Sequence, residues 1–405
     1  MEIFSGKRIV IGVSGSIAAY KSAVLASALT KAGALVDTIL TDAASKLISP
    51  LTFSSLTGRR AYLDSDLWKP EDHVLHIELG EKNQAFLIAP ATANTIAKLA
   101  GGLADNLLTL TALASRTKIA VAPAMDGGMF SHPATQANLA ILRDRGVHIW
   151  GPAAGHLASG LSGKGRMLEP EILLGHLRQF LGQAGVLQGK KVVITAGGTQ
   201  EPIDPVRVLG NRSSGKQGYA LAQAAIDAGA EVLLISAPTC LQAPVGASLI
   251  EVQTAEEMGE AVLVETESAD LLIMAAAVAD YRPAKHSDQK IKKDSGGLAQ
   301  LKLEETGDIL QLVADRKKGK TSGPTAVIGF AAETQNLLDN ARAKLKEKSL
   351  DLIAANDVSR EDSGIGVDQN RIVLIWKDGR TEELDLLPKS KVAEILIREA
   401  ASLLD

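Results

Sequence analysis

Short apolar runs alternate with helix-period patterns along almost the whole chain, and they do so twice. In the first half, strand-like runs fall near 8–13, 35–40, 85–89, 118–122 and 147–150, with helical patterns near 17–31, 92–100, 106–115 and 134–145. In the second half, strands near 190–195, 231–236, 270–275, 326–330 and 351–355 alternate with helices near 215–228, 255–266, 308–316 and 335–348. Such alternation demands parallel sheets with crossover helices on both faces. The expectation is therefore an α/β chain with two doubly wound, Rossmann-like domains. The plan changes at the end: residues 371–376 and 381–386 flank Lys377-Asp378-Gly379-Arg380, an Asp-Gly hairpin signal, and a last helix is expected over 389–404. Gly, Gln and Ala interrupt the pattern over 182–189, which sets expected domains at 1–183 and 184–405.

Composition narrows the class. A net charge of −4 offers no basic excess to offset a nucleic-acid backbone, so nucleic acid is not an expected partner. The single cysteine, Cys240, excludes an internal disulfide framework, suits a reducing cytoplasm and is expected to be buried. No signal-peptide pattern follows Lys7-Arg8, and no apolar run reaches the roughly 18 residues of a membrane helix, so neither export nor a membrane partner is expected.

Residues 190–229 hold the strongest local signal, KKVVITAGGTQEPIDPVRVLGNRSSGKQGYALAQAAIDAG. Val192-Val193-Ile194 reads as a buried strand, and a helical pattern begins near Ser214. The polar connection between them spans about 18 residues, where about two to six are usual. A long loop at the carboxyl end of a parallel strand is where such folds bind ligands. Asn211, Arg212, Ser213, Ser214, Gly215 and Lys216 place polar donors at the helix N-terminus, which suits a phosphate. Further on, Asp280 ends a strand and precedes Lys290-Ile291-Lys292-Lys293, a pattern for neutralising phosphate beside a metal-linked carboxylate. Phe330 stands where a base can stack, and Lys344 and Lys348 lie four apart on one helical face. No Walker-type loop is present. In the first half, three small-residue turns close strands: Ser14-Gly15-Ser16, the segment APATANT from Ala89, and Pro123-Ala124-Met125-Asp126. Three such turns at one sheet edge suit a flat cofactor, and no metal-spaced His or Cys cluster accompanies them.

These segments carry a resemblance. TAGGTQEPIDPVR, NRSSGKQG, AAAVADYRP, KIKK, GFAAET and AANDVS, over about 190–387, resemble the phosphopantothenoylcysteine synthetase family. Residues 15–18, 76–79, 89–94, 123–125 and 163–167, within about 7–170, resemble the flavin-dependent phosphopantothenoylcysteine decarboxylase family. The resemblance implies a bifunctional enzyme of coenzyme A biosynthesis. Its first domain would be a flavodoxin-like flavoprotein binding FMN through Gly15, Ser16, Thr41, Thr92 and Asn94, with His76 catalytic. Met125, Gly163, Gly165, Arg166 and Met167 would clamp the substrate. Its second domain would use CTP and Mg²⁺ to join 4′-phosphopantothenate to cysteine. The CTP set implied is Met274, Ala275, Ala276, Asp280, Lys290, Gly307, Asp308, Ile309, Leu310, Phe330, Lys344 and Lys348. Asn211 would contact the acyl intermediate, Lys290 would stabilise its formation, and Asp280 would hold Mg²⁺. A homo-oligomer is implied, with trimeric flavin domains and dimeric ligase domains. Two departures stand out: Asp126 takes the place of the family's substrate-binding Asn, and Ser159 that of its proton-donating Cys. They open an alternative, an active ligase whose flavin-binding domain has weak or altered decarboxylase activity.

Overall fold

A computed structural model describes residues 3–68, 74–156, 160, 162–292, 301–319, 323–359 and 366–404. The chain forms two compact units, Glu2–Leu181 and Gly182–Asp405.

The first unit runs β1 (Arg8–Val13), α1 (Ala19–Lys31), β2 (Leu35–Leu40), α2 (Asp42–Ser45), α3 (Pro50–Thr57), β3 (Ala61–Leu63), α4 (Leu75–Glu81), β4 (Ala85–Ala91), α5 (Ala93–Gly101), α6 (Leu107–Ala114), β5 (Ile119–Pro123), α7 (Gly127–Ser131), α8 (Pro133–Asp144), β6 (His148–Ile149), β7 (Ala153–His156), β8 (Ser162–Arg166) and α9 (Pro170–Gly182). Six strands form a parallel sheet in the order β3-β2-β1-β4-β5-β6. The order reverses between β1 and β4, which puts a crevice at the carboxyl ends of these two strands. Both faces of the sheet are covered, and that explains the unbroken apolar runs. Ile9, Ile11 and Val13 pack with Leu25 and Leu29 of α1 and Leu173 and Leu177 of α9. Val10, Ile39, Phe86 and Ile88 pack on the opposite face with Ile96, Leu107 and Leu139. β7 and β8 stand apart as an antiparallel hairpin.

The second unit runs β9 (Lys191–Ala196), β10 (Gln200–Pro202), β11 (Val208–Gly210), α10 (Lys216–Asp227), β12 (Glu231–Ser236), β13 (Ala247–Glu251), α11 (Ala255–Glu265), β14 (Leu271–Met274), β15 (Tyr281–Pro283), β16 (Leu303–Glu305), α12 (Ile309–Gly319), β17 (Ala326–Glu333), α13 (Leu337–Glu347), β18 (Leu352–Asp357), β19 (Gln369–Asn370), β20 (Ile372–Trp376), β21 (Thr381–Glu383), β22 (Leu387–Pro388) and α14 (Lys389–Ser402). Its main sheet has the order β13-β12-β9-β14-β17-β18-β20-β21. The first six strands are parallel; β20 and β21 add the antiparallel hairpin. Val192, Ile194 and Leu234 pack against α10 and α14, whereas Val193, Ile235 and Leu272 face α11, α12 and α13.

Two expectations change. The connection after β9 is not one polar loop. Part of it folds into the antiparallel pair β10–β11, because its Ile203–Arg207 turn carries its own hydrogen bonds. Cys240 is exposed rather than buried, since it lies in the connection beyond β12 instead of on a packed face.

Candidate functional sites

In the second unit, the carboxyl ends of β9, β14, β17 and β18 open onto a cleft of 640 Å³. Three loops converge there: residues 211–218, 274–280 and 305–310. Threonines at the strand ends hold them. Thr195 Oγ1 accepts from the N–H groups of Ala275 and Ala276, both at 3.1 Å. Thr199 Oγ1 accepts from Ala279 N at 2.8 Å, and Thr306 Oγ1 donates to Ala279 O at 2.6 Å. Asn211 Nδ2 donates to Val278 O at 2.8 Å and so ties the first loop to the second. Helix α10 begins at Gly215 with φ of 72° and no side-chain cap, leaving its first N–H groups facing the cleft. A side chain at 215 would stand 2.6 Å from Thr239 Cγ2, so both conformation and space require glycine.

Met274, Ala275, Ala276, Asp280, Gly307, Asp308, Ile309, Leu310, Phe330, Lys344 and Asn211 all line this cleft. Lys348 does not. Its ammonium lies 2.9 Å from Asp308 Oδ2 and 2.7 Å from Glu347 Oε1, so it braces the 307–310 loop from behind. Burial pushes the Asp308 carboxyl up, yet the Gln311 N–H, Lys348 and Lys344 outweigh that and hold it below its ordinary range. Lys348 is thus paired with Asp308, whereas Lys344 Nζ donates to Phe330 O at 3.2 Å. Lys290 also lies outside the cleft lining and is exposed. Its neighbour Ile291 is gripped on both sides: Ile291 N donates to Asp204 Oδ2 at 3.1 Å, and Arg207 Nη2 donates to Ile291 O at 2.6 Å. Lys293 lies outside the described residues.

Sequence reasoning missed the other end of the cleft. Lys216 bonds Asp368 Oδ1 at 2.6 Å and Gly366 O at 3.1 Å, and Lys389 Nζ bonds Val367 O at 2.6 Å. Burial, then the nearby Lys216, pushes the Lys389 ammonium below its ordinary range, against the pull of Asp368. The buried oxygens Asn370 Oδ1 and Gln217 Oε1 line the cleft without a partner among the described residues. Lys389 and Asn370 are far from the loop in sequence, so no local motif announces them. Three carboxylates line the cleft, Asp280, Glu305 and the Lys348-paired Asp308, and no cluster of three or more side chains that could hold a metal occurs among the described residues. Carboxylates that do not cluster into a cage suit Mg²⁺ that arrives on substrate phosphates.

The first unit carries a cavity of 330 Å³ between the β1–α1 turn, the β5–α7 turn and the β7–β8 hairpin. Ser16, Met125, Asp126, Gly165, Arg166 and Met167 line it, together with Lys21 and His156. The hairpin is docked by Met125 N donating to Gly165 O at 3.0 Å. Lys21, only 4% exposed, donates to Met167 O and to Glu169 Oε1, both at 3.0 Å. Lys21, followed by Arg166, holds the Glu169 carboxyl below its usual range. Asp126 Oδ1 accepts from Gly128 N at 2.9 Å, capping α7. Gly163 lines a neighbouring hollow of 480 Å³ that Asp126 also borders.

The remaining candidates form a row along the sheet edge. Thr41 and Thr92 cap α2 and α5, and Ser14 Oγ donates to Pro90 O at 2.8 Å while accepting from Thr92 N at 2.9 Å. Gly15 allows the β1–α1 turn to meet Ala43, whose Cβ would be 2.5 Å from a side chain there. Asn94 opens α5. These hydroxyls, amides and helix N-termini are small and uncharged, a donor set that fits a flavin and its phosphate. His76 lies on α4, which packs on α6, and does not line the cavity. Ser159 and His73 lie outside the described residues. No helix among the described residues is long and apolar enough to cross a membrane.

Comparison with known proteins agrees with this division. Residues 3–182 match the Flavoprotein family, and residues 187–404 match the DNA/pantothenate metabolism flavoprotein C-terminal domain. The chain is 42% identical over 404 residues to the coenzyme A biosynthesis bifunctional protein CoaBC of Bacillus subtilis (strain 168), covering 99% of this chain and 98% of the relative. It is 41% identical over 406 residues to the protein of that name in Escherichia coli (strain K12), covering 99% and 98%. A solved C-terminal domain of such a protein is 39% identical, covers 55% of this chain and 98% of its own, and superposes with a TM-score of 0.46.

Proposed function

The chain belongs to the family of bifunctional coenzyme A biosynthesis proteins, a ligase and a decarboxylase in one polypeptide, and from that premise we propose how the two units divide the work. The second unit activates the carboxylate of 4′-phosphopantothenate with CTP. The carboxylate oxygen attacks the α-phosphorus, pyrophosphate leaves, and the cysteine amine then displaces CMP from the acyl-cytidylate. The observation that carries this reading is the convergence of three loops on one cleft at the switch point of the sheet. The α10 N-terminus, Lys216 and Lys389 attract the triphosphate, Lys344 neutralises charge that moves onto the leaving group, and Phe330 packs on the base. Asp280 would hold Mg²⁺ brought in with the nucleotide phosphates. Asn211, at the mouth of the cleft, orients the acyl intermediate. Lys290, exposed and outside the cleft lining, is left without a role in this arrangement.

The first unit decarboxylates the ligation product, with the 330 Å³ cavity as its substrate site. Bound FMN supplies hydride chemistry: a hydride equivalent removed from the sulfur-bearing carbon makes loss of CO₂ feasible, and it returns afterwards. Gly15, Ser16, Thr41, Thr92 and Asn94 would hold that group, whereas His76 lies outside this cavity and takes no part in it within one chain. Arg166 and Lys21, charged beside Met167, draw the phosphorylated substrate under the hairpin. Because the Asp126 oxygen caps α7, its carboxylate is turned toward the Gly128 N–H, which eases repulsion of the substrate carboxylate. The enzyme works as a homo-oligomer in the cytoplasm, where the exposed Cys240 stays reduced.

The test is to supply the purified chain with 4′-phosphopantothenate, cysteine, CTP and Mg²⁺ and to identify products by mass. Release of CMP and pyrophosphate with appearance of 4′-phosphopantothenoylcysteine is expected. ATP turnover with CTP ignored, or AMP in place of CMP, would refute the nucleotide assignment.

A further inference from the structure

Once CO₂ has left, the carbon skeleton holds a carbon–carbon double bond next to sulfur, and saturating it takes two additions. A hydride equivalent, the one withdrawn in the first oxidation, returns to the sulfur-bearing carbon. A proton must reach the carbon that lost CO₂. No external reductant is consumed, so the donor of that proton is the missing participant, and its assignment rests on the decarboxylase reading of the first unit.

Among the described residues, five titratable side chains line the cavity. Lys21 holds two of its three protons on Met167 O and Glu169 Oε1, both at 3.0 Å, and the ion pair keeps it charged. Arg166 is bound to Glu169 at 2.7 Å, and a guanidinium does not give up its proton. Asp126 acts as an acceptor toward Gly128 N. Tyr20 lines the cavity, but a phenol is a poor acid at neutral pH. The fifth is His156. It ends β7, faces Ser162 across the hairpin in register, and has Nδ1 3.4 Å from Ser162 Oγ. Its Nε2 has no partner among the described residues, and its side chain lines the cavity with Ser16, Met125 and Arg166. His156 is exposed, so its ring can exchange a proton with solvent between turnovers. The charged groups around it are Asp126 on the cap of α7, Lys21 on α1, and Lys164 and Arg166 on β8, with Glu169 shared by Lys21 and Arg166.

We propose that His156 is the general acid of the reductive step: with Nδ1 held by Ser162, Nε2–H protonates the carbon that has lost CO₂. The chain thus meets the need for a proton from the clamp hairpin itself, three positions before Ser159.

The experiment uses the full-length FMN-loaded protein and its His156→Gln variant, supplied with 4′-phosphopantothenoylcysteine, with CO₂, unsaturated thiol and saturated thiol measured separately. General acid catalysis is worth about 10²–10⁴-fold, so the ratio of saturated to unsaturated thiol should fall by about 10²-fold or more, and the fall of that ratio with rising pH should disappear. A second readout needs no flavin. Diethyl pyrocarbonate should modify His156 in the flavin-free chain, and 4′-phosphopantetheine at about ten times its dissociation constant should slow this about tenfold. An unchanged product ratio in His156→Gln, or no protection of His156, overturns the proposal while CO₂ release keeps the decarboxylase reading. Absence of CO₂ release from the unsubstituted protein overturns both.

Discussion

Gly165 is the position at which the clamp hairpin touches the turn after β5, and replacing it with alanine should open the decarboxylase cavity. A Cβ there would stand 2.2 Å from Met125 O, 3.2 Å from Asp126 C and 3.3 Å from Gly127 N. Carbon and carbonyl oxygen normally come no closer than about 3.3 Å, so hairpin and turn must part by about 1 Å. The obstacle is backbone on both sides, which no rotamer change relieves. Parting them stretches the 3.0 Å bond from Met125 N to Gly165 O. A lost hydrogen bond costs about 1 kcal/mol and overpacking about 1–3 kcal/mol more. The first unit should therefore lose about 2–4 kcal/mol of stability, most of which falls on the docked hairpin. Catalysis should suffer more, because a displacement of about 1 Å in a positioning element costs about 10²-fold. CO₂ release from 4′-phosphopantothenoylcysteine is the assay, and ligation by the second unit is the internal control. Decarboxylation at the unsubstituted rate by Gly165→Ala would show that the hairpin does not position substrate.

Lys21→Met should leave Met167 O without its buried donor and lower stability by about 1–3 kcal/mol; an unchanged urea midpoint would contradict this. Gly215→Ala forces a left-handed residue against Thr239 and should abolish CTP protection of the second unit in thermal melts while CO₂ release continues. Asp308 titrates below its ordinary range in the folded state, so its contribution is present above the unfolded value near about 4 and is lost as pH falls through the lower folded value. Lys348→Met should accordingly narrow the stability gap between neutral and acid pH; equal gaps in both proteins, from urea midpoints across that range, would refute the coupling.

Much of the architecture was legible because it follows from local regularities. Apolar runs such as Val192-Val193-Ile194 become strands covered on both faces, since alternate side chains meet helices on opposite sides of the sheet. The Asp-Gly hairpin signal is realised as β20–β21. Parallel sheets place every strand-end loop on one edge, and so Asn211, Asp280, Phe330 and Lys344, each singled out in the sequence, line one cleft. Other features depended on separations no periodicity encodes. β10–β11 and β15–β16 are pairs of three-residue strands, too short to carry a pattern. Lys348 looked like a phosphate ligand, yet the fold sets Asp308 within 2.9 Å of it. Lys389 and Asn370 reach the cleft only because α14 packs on α10 and the segment around β19 is paired with β22. His156 joins Lys21 and Arg166 only when the hairpin folds over the β1–α1 turn. Residue chemistry and spacing are written along the chain, so sequence alone determined the sheets and the loops that bear the chemistry. Which charges meet across space is decided by packing, and only the tertiary structure could assign each cation to a ligand, to a carboxylate or to a backbone carbonyl.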